Sequence, residues 1–269
     1  MNFFERILNF LNAQMLEPLP YGWFHLMMFG LIIGLTIFLV IKYRNANDKT
    51  VKRILLIFSL IMITLEIYKQ LNFSYNGSTD TWDYQWYAFP FQFCSVPMYV
   101  MLIASLVKKG KVENALYAFL GTYTLFAGIA VMLYPNDVFV TTAGINIQTM
   151  IHHGFMLTIG VYMLASKRVP LNVKSVLKAS IVFSIILVMA ISMNYITHFA
   201  GLGETFNMFF VSPYHGTHLP VLSLIYPLVP YVIYLFIYAF GFTLVSYIVV
   251  LIAKLCSILF KKTYAIIKK

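Results

Sequence analysis

The chain has 269 residues, 61% of them hydrophobic and only 10% charged, with mean hydropathy +0.81. A soluble domain carries about 25% charged residues, so the composition excludes a water-soluble enzyme, and the length fits one helical bundle without a second sizeable domain. The net charge of +10 does not point to nucleic acid, because the basic residues sit in short loops between apolar runs, as membrane anchors do.

Taken in chain order, Asn2–Met15 places Phe3, Phe4, Ile7, Leu8, Leu11 and Met15 at helical spacing. This predicts an amphipathic helix over residues 1–16 lying in the outer interface. Glu5 and Arg6 fall inside it and no small-residue cleavage site follows, so it does not read as a cleavable signal. A bundle is then predicted over residues 22–255, because a spanning helix needs about 20 apolar residues. The runs are Gly22–Lys42, Ile54–Tyr68, Tyr87–Val107, Val112–Tyr134, Gly144–Ala165, Ser175–Phe199 and Leu219–Leu255. The second is short unless it continues past Lys69 to Phe73. The last is too long for one straight span, and Pro220, Pro227 and Pro230 break its first part, since proline removes a helix hydrogen bond. A short re-entrant segment before a full helix over Tyr231–Lys254 is expected, followed by a basic tail, 256–269. Gly30 and Gly34 form a GxxxG in the first run, a pattern that permits close helix packing. The fold class is therefore all-α, a polytopic membrane bundle of about seven transmembrane helices.

Seventeen of the 19 basic residues fall on one side of this topology, in the loops after the first, third and fifth runs and in the tail. Only Arg6 and Lys69 fall elsewhere, and the opposite loops hold Asp80, Asp83, Asp137 and Glu204. Basic loops face the cytoplasm, so the C-terminus is expected there and the N-terminus outside.

All six histidines fall in the outer half of this arrangement or beyond it. His25 starts the first span, Glu66 and Lys69 end the second, and Gln92 and Cys94 begin the third. Gln148, His152 and His153 begin the fifth, Asn194 and His198 end the sixth, and His215 and His218 lie in the last external loop. Ionisable groups inside a membrane are costly and face a protein interior or a wet cavity. Cys94 and His152 both lie about 10–12 Å deep at 1.5 Å per residue, so they meet if the third and fifth spans are neighbours. A cysteine beside a histidine is the smallest nucleophile–base pair for acyl transfer, with Gln92 or Asn194 available to orient the imidazole or stabilise an oxyanion. Consecutive helix residues point about 100° apart, so His152 and His153 cannot share one direction, whereas Gln148 shares a face with His152. Glu66 and Lys69 have the spacing of an ion pair. His215-Gly-Thr-His218 is flanked by Pro213 and Pro220, and no carboxylate or cysteine completes a zinc set, so no metal is expected. Cys94 and Cys256 belong to different depths, and no mutual disulfide is expected. No phosphate loop, dinucleotide fingerprint or serine elbow occurs, and no cofactor is expected.

Several short segments resemble the bacterial YwaF-type membrane proteins. Phe89-Pro-Phe-Gln-Phe-Cys94-Ser-Val-Pro97 resembles their proline-led cysteine motif, and Met150-Ile-His152-His153-Gly154 is similar to their HHG signature. Ser192-Met-Asn194-Tyr195 is similar to their Asn-Tyr segment, and Glu66 stands where they carry a glutamate in the second helix. Where bacterial members often carry a histidine close before the cysteine, this chain has Gln92. The family is related to the transmembrane protein 164 type, described as lipid acyltransferases. The resemblance, over roughly residues 20–250, implies Cys94 as acyl-accepting nucleophile and His152 as its base. His153, Gln92, Glu66, Asn194, Gln148 and Tyr195 are then the supporting or substrate-binding residues.

The expected function is a lipid acyltransferase or transacylase acting on membrane lipids in a bacterial plasma membrane, without nucleic-acid partners. A small-molecule transporter or sensor, for which Glu66 and Lys69 would line a path, and a non-catalytic assembly protein are the alternatives. A polar channel reaching the basic side favours the transporter, and a pocket open sideways to lipid favours the enzyme.

Overall fold

In the computed structural model the described residues are 3–136 and 138–267, with side chains described from 5 to 259. Asn2, Asp137, Lys268 and Lys269, and the side chains of Phe3, Phe4, Lys261 and Lys262, therefore lie outside them. The fold is all-α: α1 (Phe3–Leu11), α2 (Trp23–Tyr43), α3 (Asp48–Ser74), α4 (Val96–Leu106), α5 (Lys111–Phe119), α6 (Leu125–Leu133), α7 (Ala143–Ala165), α8 (Val173–Phe199), α9 (Leu222–Ile225) and α10 (Tyr231–Ile267). The sheet structure described is a two-stranded hairpin, Tyr75–Asn76 with Thr81–Trp82, and an isolated bridge between Gln14 and Thr142.

Helices α5 and α6 are one rod joined by a π-helical turn, Leu120–Thr124. Four helices are long and apolar enough to cross a membrane: Trp23–Tyr43, Lys111–Leu133, Val173–Phe199 and Tyr231–Leu259. Their outward faces carry unpaired alkyl and aromatic groups, among them Leu31, Ile37, Ile181, Ile185, Phe236 and Phe240, all more than half exposed. That is the surface of a protein solvated by lipid.

Helix α7 is central. It packs against α2, α3 and α6, and its glycines set the spacing. A Cβ on Gly154 would fall 2.4 Å from Ile32 on α2, and one on Gly160 would fall 2.5 Å from Leu125 on α6. From the α6 side, a Cβ on Gly128 would meet the Leu157 amide at 2.6 Å and the His153 carbonyl at 2.9 Å. By contrast a Cβ on Gly30 or Gly34 would meet nothing within 4 Å, so the GxxxG of α2 makes no helix contact among the described residues.

Five predicted elements keep their places. α2, α5–α6, α7 and α8 lie within two residues of the expected runs, and α10 begins at Tyr231, directly after Pro230. α3 is a full helix that reaches Ser74 and starts at Asp48, where the Asn47 side chain accepts from the Thr50 amide at 2.9 Å, a favoured N-cap arrangement. The amphipathic segment is shorter than expected: α1 ends at Leu11, and residues 13–15 bond in extended form to 141–143.

The largest departure is the third run. Helix begins only at Val96, with Pro97 in its first turn, where a missing amide costs nothing. Upstream, Pro90 disfavours helix in the residue before it, and residues 89–95 form tight turns instead. Cys94 therefore lies in a non-helical segment and not inside the spanning helix expected over Tyr87–Val107. With 11 residues, α4 is about 16 Å long, roughly half the apolar core of a bilayer.

Candidate functional site

Two non-helical segments meet at the end of the bundle opposite the basic loops. One is residues 89–95, which carries Cys94. The other is the connection after α8, whose residues Phe206, Met208, Phe209, Val211 and Ser212 are all at most 2% exposed. The second was expected as an external loop. Its apolar stretch Phe206-Asn-Met-Phe-Phe-Val211 turns back into the protein instead, and Phe209 packs against Phe91 and Phe93 with ring centroids 6.1 and 5.5 Å apart.

Buried backbone without helical bonds needs other partners, and here side chains supply them. Gln92 donates to the Asn207 carbonyl and accepts from the Phe209 amide, both at 2.9 Å. Asn194 donates to the Met208 carbonyl at 3.0 Å and accepts from its amide at 2.7 Å. Asn207 donates to the Gly216 carbonyl and accepts from the Ser212 amide, both at 2.9 Å. From α10, Tyr234 donates to the Phe210 carbonyl at 3.1 Å and Tyr231 to the Val211 carbonyl at 2.7 Å. Phe209 and Phe210 have φ of 60° and 55°, a left-handed conformation that costs about 1–2 kcal/mol per non-glycine residue. The side-chain bonds offset that cost.

The Cys94 segment is held at three carbonyls. Gln70 Nε2 donates to Ala88 at 2.6 Å, Tyr99 OH to Pro90 at 3.0 Å, and His152 Nε2 to Cys94 at 3.0 Å. The expected meeting of Cys94 and His152 thus occurs, but this hydrogen bond runs to the main-chain carbonyl and not to the thiol. A carbonyl only accepts, so Nε2 carries the hydrogen. In the neutral ring Nδ1 is then a bare lone pair, and it is buried with no partner among the described residues. His153 has the opposite arrangement: its Nδ1 donates to the Thr149 carbonyl at 2.8 Å within α7. The two rings are 5.8 Å apart and inclined at 56°.

Glu66 is 3% exposed and bonds through Oε1 to Lys69 Nζ at 2.7 Å and Gln70 Nε2 at 2.9 Å. The expected ion pair is therefore present. Glu66 and Gln70 line one recess with Pro90 of the Cys94 segment. Gln148 is buried one turn before His152 on α7.

The remaining expected residues divide by use. The amides of Gln92 and Asn194 are both occupied by the buried loop, which leaves the imidazole to be oriented by the Cys94 carbonyl. Tyr195 stacks on Phe199 and meets Tyr214 edge-on. His25 joins α2 to α6, accepting from the Tyr21 amide at Nδ1 and donating from Nε2 to the Met132 carbonyl, both at 2.9 Å. His198 stacks on Tyr214 with centroids 3.4 Å apart. No group of three histidine, cysteine, aspartate or glutamate side chains converges as a metal site among the described residues. Sequence reasoning missed Asn207, Gln70, Tyr231 and Tyr234. The available signal was the apolar run Met208–Val211 that follows Asn207, which is out of place in a solvated loop.

The sequence model of the TMEM164 family matches residues 20–253. The chain belongs to the TMEM164 family. The match spans α2 to most of α10 and includes both non-helical segments of the site. No curated protein and no solved structure matches the chain significantly. This TMEM164-family protein is thus a membrane protein whose site must be read from its own geometry.

Proposed function

We propose that the protein is a lipid acyltransferase or transacylase in which Cys94 accepts the acyl group and His152 serves as its base. One observation carries the reading: His152 is docked on the Cys94 residue through Nε2, and its Nδ1 lone pair is buried without a partner among the described residues. An unpartnered basic nitrogen on a ring docked against the cysteine residue can take the thiol proton once the Cys94 side chain turns toward it. The thiolate attacks the ester carbonyl of the donor lipid, the C–S bond forms, and the displaced alkoxide leaves with the proton held by the imidazole. The acceptor hydroxyl then returns a proton to the imidazole as it attacks the thioester, and the thiolate is regenerated. His153 and Gln148 support the ring from α7, Gln92 and Asn194 hold the buried loop over the site, and Glu66 lies on its lipid side.

The topology that goes with this reading has seven spans: α2, α3, the 87–107 segment ending in α4, α5–α6, α7, α8 and α10. The basic loops face the cytoplasm and the N-terminus lies outside, which puts Cys94 at outer-leaflet depth in a bacterial plasma membrane. A recess between α3 and α4 near this segment is walled mainly by apolar side chains, which supports the acyltransferase over a transporter.

The test is turnover of a phospholipid labelled in its acyl chain. Cys94→Ala is expected to abolish transfer, a loss of at least about 100-fold. Full turnover by that variant would remove the nucleophile assignment.

A further inference from the structure

At the end of the bundle away from the basic loops, α1 and the hairpin after α3 enclose a cleft of about 660 Å³. Pockets for small molecules measure roughly 300–1,000 Å³. Unlike the α3–α4 recess, this cleft has a mainly polar exposed wall. Its two sides are fixed to the bundle and to each other. Tyr68 of α3 donates to the Leu11 carbonyl at 2.8 Å, and Gly77 of the hairpin abuts Asn9, where a Cβ would fall 2.4 Å from Oδ1. Four of the lining side chains are held by neighbours. Asn12 Oδ1 accepts from Gln14 Nε2, and Asn76 Oδ1 from the Ser78 amide, both at 3.0 Å. Gln85 Nε2 donates to the Asp83 carbonyl at 3.0 Å and to Asp83 Oδ2 at 3.2 Å. Each bond fixes which atom of the group is used. Asn12 Nδ2 and Asn76 Nδ2 remain as donors, and Gln85 Oε1 and Asp83 Oδ1 as acceptors, with no hydrogen bond to another described residue.

That mixture of donors and acceptors selects the ligand. An ammonium group only donates, so it would leave the Asn12 and Asn76 amide hydrogens unmet. A phosphate or carboxylate only accepts, and it would meet Asp83 with no lysine, arginine or histidine among the lining residues. A hydroxyl donates and accepts at one atom, so adjacent hydroxyls match the whole set. Depth decides what carries them. Trp82 on the hairpin, Tyr87 just after it and Phe10 on α1 are 50%, 49% and 81% exposed, and exposed aromatic side chains collect at the level of lipid headgroups. We infer that the α1–hairpin cleft binds the uncharged sugar headgroup of a glycolipid. Its polar groups are in place before the ligand arrives, so little ordering cost opposes binding.

The test uses the full chain in phosphatidylcholine nanodiscs and two photoreactive probes: a glucosyl diacylglycerol with a diazirine on its sugar, and the same lipid with the sugar hydroxyls methylated. The glucosyl probe is expected to label peptides containing Asn12 or Asn76 at least about ten-fold more than the methylated one, because several hydrogen bonds are at stake. Two exposed positions on the hairpin side then exchange one hydrogen-bond role each. Asn76→Asp keeps the acceptor for the Ser78 amide and turns the remaining donor into an acceptor. Asp83→Asn keeps the acceptor for Gln85 and turns the remaining acceptor into a donor. Each is expected to lower glucosyl labelling about three- to ten-fold, the range for one hydrogen bond, with the thermal midpoint unchanged. Free methyl glucoside at the probe's concentration should displace little of the labelling. The labelling needs no acyl transfer, so its failure is distinct from failure of the Cys94 reading. Equal labelling by the two probes, or labelling indifferent to both substitutions, would overturn the inference. So would a rise with Asn76→Asp beside a fall with Asp83→Asn, the response of a cation site. Complete displacement by methyl glucoside would overturn the assignment to a lipid.

Discussion

The two ends of the bundle are held together by different chemistry. At the basic end, Asp48 bonds to Arg168 and, at 2.9 Å, to Lys109, while Arg168 also donates to the Ala46 carbonyl at 2.6 Å. Lys52 pairs with Glu113 at 3.3 Å and donates to the Val107 carbonyl. These contacts tie the α2–α3, α4–α5 and α7–α8 loops together, but several are wet: the Asp48 and Lys109 side chains are 42% and 78% exposed. At the other end the links are neutral amides and phenols bonded to buried backbone, around two left-handed phenylalanines. Exposed ion pairs contribute about 0–1 kcal/mol each. A buried hydrogen bond broken on one side costs about 1–3 kcal/mol. The end that bears few charges is therefore the more tightly specified. It also holds its backbone in a conformation that only those contacts maintain, as is common at functional sites.

Substitutions sharpen this contrast, and the largest effect is expected on chemistry at the neutral end. His152→Ala is expected to slow acyl transfer about 100- to 10,000-fold, the range for losing a general base, with helical content by circular dichroism unchanged. A loss under about three-fold would make His152 only a peg for the Cys94 carbonyl. Next, Asn194→Ala removes both bonds to Met208 and leaves a buried amide and carbonyl unpaired. Denaturation in detergent should show a loss of about 3 kcal/mol. No loss would mean that the 206–212 segment is held by packing alone. The smallest effect belongs to the basic end, where Asp48→Asn should cost under about 1 kcal/mol and less again in high salt.

The same contrast has a pH signature. The Arg168 and Lys109 side chains beside Asp48 hold its carboxyl down to about 2, below its ordinary value of 3.8. A carboxyl lowered in the folded state stabilises it above the unfolded value. The Asp48 contribution should therefore be constant from neutral pH to about 4 and fade between 3.8 and 2. The difference in midpoint between Asp48→Asn and the natural protein should vanish over that interval. A difference that persists at pH 2 would contradict the assignment.

The helices that were legible in the sequence are those whose apolar runs lack internal conflict. α7 and α8 follow uninterrupted runs, and Pro230 marks the start of α10. Glu66–Lys69 and the approach of Cys94 to His152 were also readable, from spacing and shared depth. What was not readable came from backbone that leaves the helix. The Phe89–Cys94 stretch is as apolar as a span, so its hydropathy concealed the turns that Pro90 imposes. The Phe206–Val211 stretch has no period, and its insertion depends on amides supplied from Gln92 and Asn194, over 100 and about a dozen residues away in sequence. Those same distant bonds explain why Gln92 and Asn194 looked like catalytic helpers: a polar residue in an apolar run signals burial, not the partner it will find.

The most direct test of the account is the intact mass of the protein after brief exposure to a phospholipid donor and an acid quench. The account predicts one added acyl group, mapped to Cys94, released by neutral hydroxylamine and absent from Cys94→Ser. It also predicts slower formation in His152→Ala. An acyl adduct mapped elsewhere, or turnover without any adduct at Cys94 under a rapid quench, would contradict it.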